Sequence, residues 1–290
     1  MTSPETALER RWLALWLLAA SQFIVVLDAS IVNVALPSIG QALDFSQGNL
    51  PWVVNAYVLT FGGFLLLGGR MADLLGRRRV FMAGLLLVAV ASLAAGFATN
   101  EAQLIAARAT QGLGAAIISP SALSIVTTTF SDGAERNKAL GVWGAVAGAG
   151  GAAGVLLGGI LTDGLGWEWV LWVNVPVALV VLMLAPRVIA ETRSESATRH
   201  FDVAGAVSVT AGLSVLVYAL VDATDAGWGS AKTLGLIGLA GALIAAFVAI
   251  EVRSEAPLMP MRIFRNRTLS GANVVGLLVG GSLFSMFFFI

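Results

Sequence analysis

The sequence contains no cysteine and one histidine, His200. The missing cysteine excludes a disulfide framework, a thiol nucleophile and a cysteine-ligated metal. Charge is scarce as well. Only 12% of the 290 residues are charged and 58% are hydrophobic, whereas a soluble domain carries roughly 25% charged residues. A soluble chain of this length would have too few charges to cover its surface. Neither sign of charge dominates, since 17 basic and 17 acidic residues cancel. That balance lacks the basic footprint of a nucleic-acid binder. No P-loop is present, and no HExxH motif or Ser/His/Asp set falls within an apolar run. No enzyme chemistry, metal or cofactor is therefore expected.

What the chain has is a series of long apolar runs. A membrane helix needs about 20 largely apolar residues. That rule predicts spans at Trp12–Leu36, Trp52–Gly69, Val80–Ala98, Ala102–Thr129, Ala139–Leu161, Trp167–Ala185, Val203–Val221 and Leu234–Ile250. A ninth opens at Ser270 and meets the last residue, Ile290, without a polar flank, so the expectation is a truncated ninth helix of a longer protein. The first ten residues are polar and no small-residue cleavage site follows the first run, which reads as a retained helix rather than a signal peptide. The fold class is thus an all-α integral membrane bundle.

Lys and Arg set the orientation. With Arg10 and Arg11 in the cytoplasm, fifteen of the 17 basic residues fall on that side. Lys232 alone lies in an opposite loop, and Arg108 lies within a span. A wrong helix count would scramble this alternation. The expected home is the cytoplasmic membrane, multi-pass, with the N-terminus inside. Segment 187–202 is polar and reads as a cytoplasmic linker after a six-span block, 1–186. Two spans follow in 203–251. Segment 252–290 holds a Pro- and Arg-containing loop, expected to lie along the membrane face, and the last span.

Two buried charges carry the functional reading. A carboxylate in the hydrocarbon layer costs at least ~2.5 kcal/mol, so Asp28 is a functional candidate by default. A carboxyl that changes protonation state can load and release a proton. The plainer reading is that it holds the bundle together. Arg108 is its natural partner. Asp28 lies eight residues before the outer end of its span, ~12 Å deep, and Arg108 six residues into its own, ~9 Å deep. The two therefore share a layer.

Other polar residues within spans are Gln22, Asn33, Asn55, Gln111 and Ser119, candidates for lining a substrate cavity or for interhelical bonding. Helical periodicity sets Gln111 and Ser119 within about 60° of Arg108, and Asn33 about 140° round from Asp28. The segment from Gly68 to Phe81 reads as a tight cytoplasmic turn. In it Gly69 and Gly76 allow close approach or a positive φ, and Asp73 can bond Arg77 and Arg78 or cap a helix N-terminus. The fifth span is glycine-rich, with Gly141, Gly144, Gly148, Gly150, Gly151, Gly154, Gly158 and Gly159. Such a helix offers a flat surface to another backbone. Trp52, Trp167, Trp169 and Trp172 lie near predicted outer ends, where aromatic rings anchor.

Together these motifs resemble the major facilitator superfamily, and within it the fourteen-helix drug:proton antiporters. Gly69 to Phe81 is similar to the superfamily's loop motif, with Met71 where Leu is usual. L-D-A-S-I-V-N-V-A-L-P, Leu27 to Pro37, resembles the first-helix signature. R-A-T-Q-G-L-G-A-A, Arg108 to Ala116, resembles the fourth-helix motif whose Arg is tied to proton coupling. Gly141, Gly150, Gly154, Gly158 and Gly159 follow the fifth-helix antiporter spacing, with Val155 in place of the usual proline. W-E-W-V-L-W-V-N-V-P, Trp167 to Pro176, and Pro257 to Arg267 are also similar.

The resemblance implies a six-helix N-domain, two additional central helices and the first helix of a C-domain whose remainder is needed for activity. It implies proton-driven export of small amphipathic drugs by alternating access, with protons, a small molecule and the lipid bilayer as partners. Two alternatives stay open: uptake of a small nutrient on the same fold, and a non-transporting membrane sensor.

Overall fold

The computed structural model describes residues 4–130, 133–193, 202–254 and 257–289, with side chains described between 9 and 282. Among these residues there are ten α-helices and one 3-10 turn, and no strand. The helices are α1 (Pro4–Ala42), α2 (Trp52–Leu75), α3 (Arg77–Gly96), α4 (Glu101–Thr129), α5 (Gly133–Gly164), α6 (Trp169–Trp172), α7 (Asn174–Val188), α8 (Val203–Ala226), α9 (Ala231–Arg253) and α10 (Arg267–Phe289). The 3-10 turn is Met261–Arg265. Eight spans up to Arg253 are long and apolar enough to cross a membrane, with α6 and α7 together forming the sixth.

That sixth span departs from the single helix expected over Trp167–Ala185. Val173 keeps helical dihedrals, φ −58° and ψ −25°. Pro176, three residues on, has no N–H to return to the Trp172 carbonyl, so the ladder breaks there. The turn expected between the second and third spans is also shorter than the sequence suggested. Gly69 and Asp73 belong to α2, Arg77 and Arg78 to α3, and Gly76 alone connects them. Its φ of +110° and ψ of 126° suit glycine, and the chain reverses in one residue. Of the linker 187–202, positions 194–201 lie outside the described residues.

The principal helix pairs are α2 with α4, α1 with α5, and α3 with α4. α7 closes the far side against α1 and α3. Small residues let the backbones approach. A Cβ added at Gly112 would collide with Thr60 Oγ1 and the Tyr57 carbonyl on α2. One at Gly114 would lie 2.7 Å from Val88 Cγ2 on α3. On α5, Gly150, Gly154 and Gly158 repeat every fourth residue and face α1 at Val26, Ser30 and Val34. Gly141 and Gly159, assigned to the same motif, meet nothing within 4 Å. The motif thus divides between a packed stripe and an open one. α5 runs uninterrupted past Val155.

The α8–α9 hairpin docks on α2 through α8. Thr210 Oγ1 donates to the Gly63 carbonyl at 2.8 Å. Large apolar side chains remain exposed around the outside, among them Trp16, Leu86, Val90 and Leu156. In water such a belt would be a defect; in a bilayer it is the solvated surface.

Candidate functional site

The most buried charges of the described bundle meet between α1 and α4. Asp28 is 2% exposed and Arg108 0%. Arg108 Nη1 donates to Asp28 Oδ2 at 2.5 Å, and also to Gln111 Oε1 at 2.9 Å. Arg108 Nε donates to the Val53 carbonyl at 2.9 Å. The guanidinium lies over the Tyr57 ring, 4.6 Å from its centroid. Tyr57 is itself tied to α1, its hydroxyl donating to the Val25 carbonyl at 3.0 Å.

The other carboxylate oxygen is equally occupied. Asp28 Oδ1 accepts from Asn174 Nδ2 at 2.7 Å and from Gln111 Nε2 at 3.2 Å. Gln111 Nε2 also reaches Ser92 Oγ at 2.8 Å. Side chains or carbonyls of α1, α2, α3, α4 and α7 therefore converge on one ion pair. Every described side chain bonded to the carboxylate presents an N–H. Three side chains thus supply N–H donors to its two oxygens. Two polar atoms have no partner, Arg108 Nη2 and Asn174 Oδ1. The cluster thus retains one donor atom, with two N–H groups, and one acceptor atom without a partner beside the ion pair.

Local sequence explains part of this geometry. Arg108 and Gln111 are three apart on α4, so they share a helix face. Gly112 and Gly114 bring α4 against α2 and α3, which places the arginine within reach of the Val53 carbonyl. Asn174 sits in the first turn of α7, just after the helix break near Pro176.

The remaining sequence candidates separate. Ser119 Oγ donates to Gln22 Oε1 at 3.0 Å, so these two form a second α1–α4 bridge instead of lining a site with Arg108. Asn33 is exposed and turned back on its own helix, its Nδ2 donating to the Ala29 carbonyl at 2.8 Å. Asn55 is half-buried on α2. In the α2–α3 turn, Arg77 Nη2 bonds Asp73 Oδ1 at 3.0 Å. The helix N-terminus there is capped by Glu191, not by Asp73. Glu191 Oε1 accepts from Arg78 N and its Oε2 from Arg79 N, both at 3.2 Å. The negative end of Glu191 meets the positive end of the α3 dipole. Sequence reasoning missed Glu191, Asn174, Ser92 and Tyr57. Asn174 stood within a recognised motif, and its place after an apolar run was the available signal.

The chain is thus an all-helical membrane bundle with a hydrogen-bonded ion pair buried in its core. The family comparison is specific. The chain belongs to the Major Facilitator Superfamily, whose model matches residues 18–290. It is 46% identical over 281 residues to a cephamycin export protein of Amycolatopsis lactamdurans, covering 96% of this chain and 57% of that protein. It is 42% identical over 281 residues to a puromycin resistance protein of Streptomyces alboniger, covering 97% and 56%. A tetracenomycin C resistance and export protein of Streptomyces glaucescens is 37% identical, with 97% and 52% covered. The chain thus spans little more than half the length of these relatives. Its fold is similar to that of the peptide transporter POT crystallised with sulfate, with a TM-score of 0.61 at 17% identity, covering 83% of this chain and 53% of that one. These relatives are transporters and resistance proteins, not enzymes.

Proposed function

We propose that this chain is the proton-coupling part of a secondary transporter that exports small amphipathic compounds, antibiotics among them, by alternating access. The observation that carries the reading is the Asp28 carboxylate held by Arg108, Gln111 and Asn174 in the bundle core. The relatives' export of cephamycin and tetracenomycin C supports the direction and the substrate class.

The ion pair provides a two-state element. With Asp28 ionised, its charge is matched by Arg108 and its oxygens are filled by donors. A proton arriving at Asp28 removes the ion-pair attraction and adds a donor where only donors stand. Rotating the Asn174 amide by half a turn would offer its spare Oδ1 to that proton. The released guanidinium would turn its spare Nη2 outward, and the helices α1, α4 and α7 would repack. A rocking step between the halves of the complete transporter would use that repacking to change access.

The arginine-rich end faces the cytoplasm of the cell membrane in this reading. One charge crossing 100 mV is worth about 2.3 kcal/mol, and one pH unit adds about 1.4 kcal/mol. Together they sustain a drug gradient of several hundredfold per proton, at ~1.4 kcal/mol per decade. The proton gradient takes the place of a cofactor.

The test is drug efflux from energised vesicles carrying the complete transporter. Efflux that collapses with the pH gradient, and is absent in Asp28→Asn with folded protein, supports the proposal. Efflux by Asp28→Asn equal to wild type would return Asp28 to a packing role.

A further inference from the structure

At the arginine-rich end of the bundle, away from the Asp28 site, a cavity of about 470 Å³ opens between the start of α1 and the end of α7. Arg10, Arg11, Arg78 and Arg187 line it, and no carboxylate does. Two of the four are matched from outside the cavity. Arg11 pairs with Glu135 at 3.5 Å, and Arg78 with Glu191 at 3.7 Å. Arg10 and Arg187 have no carboxylate partner among the described residues. They are held in place by backbone instead: Arg10 Nη2 donates to the Arg187 carbonyl, and Arg187 Nη1 donates to the Met183 carbonyl at 2.9 Å. Each guanidinium has five N–H groups, so most of those on Arg10 and Arg187 remain for a ligand.

The rest of the wall is apolar, with Ala14, Val188 and Ile189. About one turn further along the same two helices, Leu13, Met183 and Leu184 are exposed large apolar side chains. Two uncompensated arginines above a lipid-facing apolar surface match a ligand with an anionic head and hydrocarbon tails. Forked guanidinium groups suit the paired oxygens of a phosphate, and basic pockets between helices near the membrane surface bind phospholipid headgroups.

We infer that this cavity is a binding site for the phosphate headgroup of an anionic phospholipid, with the acyl chains running down the α1–α7 surface. The lipid would tie the start of α1 to the end of α7, and Arg78 would connect it to the α2–α3 turn. Arg78 Nη1 already donates to the Ile189 carbonyl at 3.1 Å.

The experiment uses the purified protein in nanodiscs of phosphatidylcholine, with or without phosphatidylglycerol. Retained lipid is counted by native mass spectrometry after extraction, and the unfolding midpoint is measured in parallel. Wild type should retain phosphatidylglycerol in preference and unfold at a higher temperature when it is present. The Arg10→Gln/Arg187→Gln variant should bind it about tenfold more weakly, as expected for lost charged hydrogen bonds. Arg10→Lys/Arg187→Lys should recover part of the affinity, which separates charge from loss of fold. Arg262→Gln, at an exposed arginine that does not line the cavity, should leave retention unchanged. Equal retention in wild type and the double Gln variant would overturn the inference. Stabilisation by inorganic phosphate in phosphatidylcholine discs, matching that by phosphatidylglycerol, would overturn the lipid assignment.

Discussion

Asp28 on α1 and Arg108 on α4 lie eighty residues apart in sequence, and their charged groups meet at 2.5 Å in the core. Neither side chain is more than 3% exposed. A pair so buried is held by mutual dependence. Removing one partner leaves the other charged and unmatched, which costs about 3–5 kcal/mol. Arg108→Gln alone should therefore lower the unfolding midpoint strongly, and so should Asp28→Asn. The double variant should be less destabilised than the sum of the two. Thermal unfolding of all four proteins in one detergent checks this cycle, and strict additivity would contradict a coupled pair.

Asn174 donates to Asp28 and keeps an unpartnered Oδ1 in the core. Asn174→Leu removes the spare acceptor proposed for the protonated state. Stability should fall by about 1–3 kcal/mol through the lost hydrogen bond to a charged group. The decisive readout is the pH dependence of efflux by the complete transporter. It should shift in Asn174→Leu and stay near wild type in Asn174→Gln. A pH profile unmoved in both variants would confine Asn174 to a structural role.

The fifth helix offers a contrast within one sequence. A Cβ at Gly158 would lie 2.9 Å from Val34 Cβ and 3.0 Å from the Ile31 carbonyl, whereas one at Gly144 meets nothing within 4 Å. Gly158→Ala should destabilise the bundle by about 1–3 kcal/mol through overpacking. Gly144→Ala should be neutral, or stabilise by about 0.5–1 kcal/mol through helix propensity. The unfolding midpoints of the two variants in the same detergent decide the point. Equal effects would mean that α5 does not pack on α1 as described.

Gly76 carries the whole connection between α2 and α3 at a φ of +110°. A Cβ there would also come 2.7 Å from Glu191 Oε1. Gly76→Ala should cost about 1–3 kcal/mol in backbone strain and loosen the Glu191 cap on α3. Amide exchange at Arg78 and Arg79 should accelerate in Gly76→Ala and in Glu191→Ala. Protection unchanged in Glu191→Ala would remove the cap from the account.

The sequence by itself determined the class of protein, the number of apolar spans up to Arg253 and the end at which the arginines gather. The reason is local. In lipid a chain must satisfy its own backbone, and apolar runs of about 20 residues do so as helices. The sequence also marked Asp28 and Arg108, because a charge in such a run is conspicuous wherever its neighbours are. Helical spacing placed Gln111 beside Arg108 for the same reason.

Tertiary structure decided everything that depends on how one helix is turned and set against another. A single helix has a period, but its rotation about its axis follows from what it packs against. Ser119 was on the arginine's side by angle alone, and the descent of α4 past α1 carried it to Gln22. Asn174 and Ser92 are ordinary polar residues in their own segments; the packing of α7 and α3 made them part of the ion-pair cluster. The fifth-helix motif does not tell its packed glycines from its open ones, and only the crossing of α1 separated Gly150, Gly154 and Gly158 from Gly141 and Gly159. Glu191 became a helix cap because the chain after α7 returns to the start of α3. These are contacts between residues far apart in the chain, set by packing that no local pattern encodes.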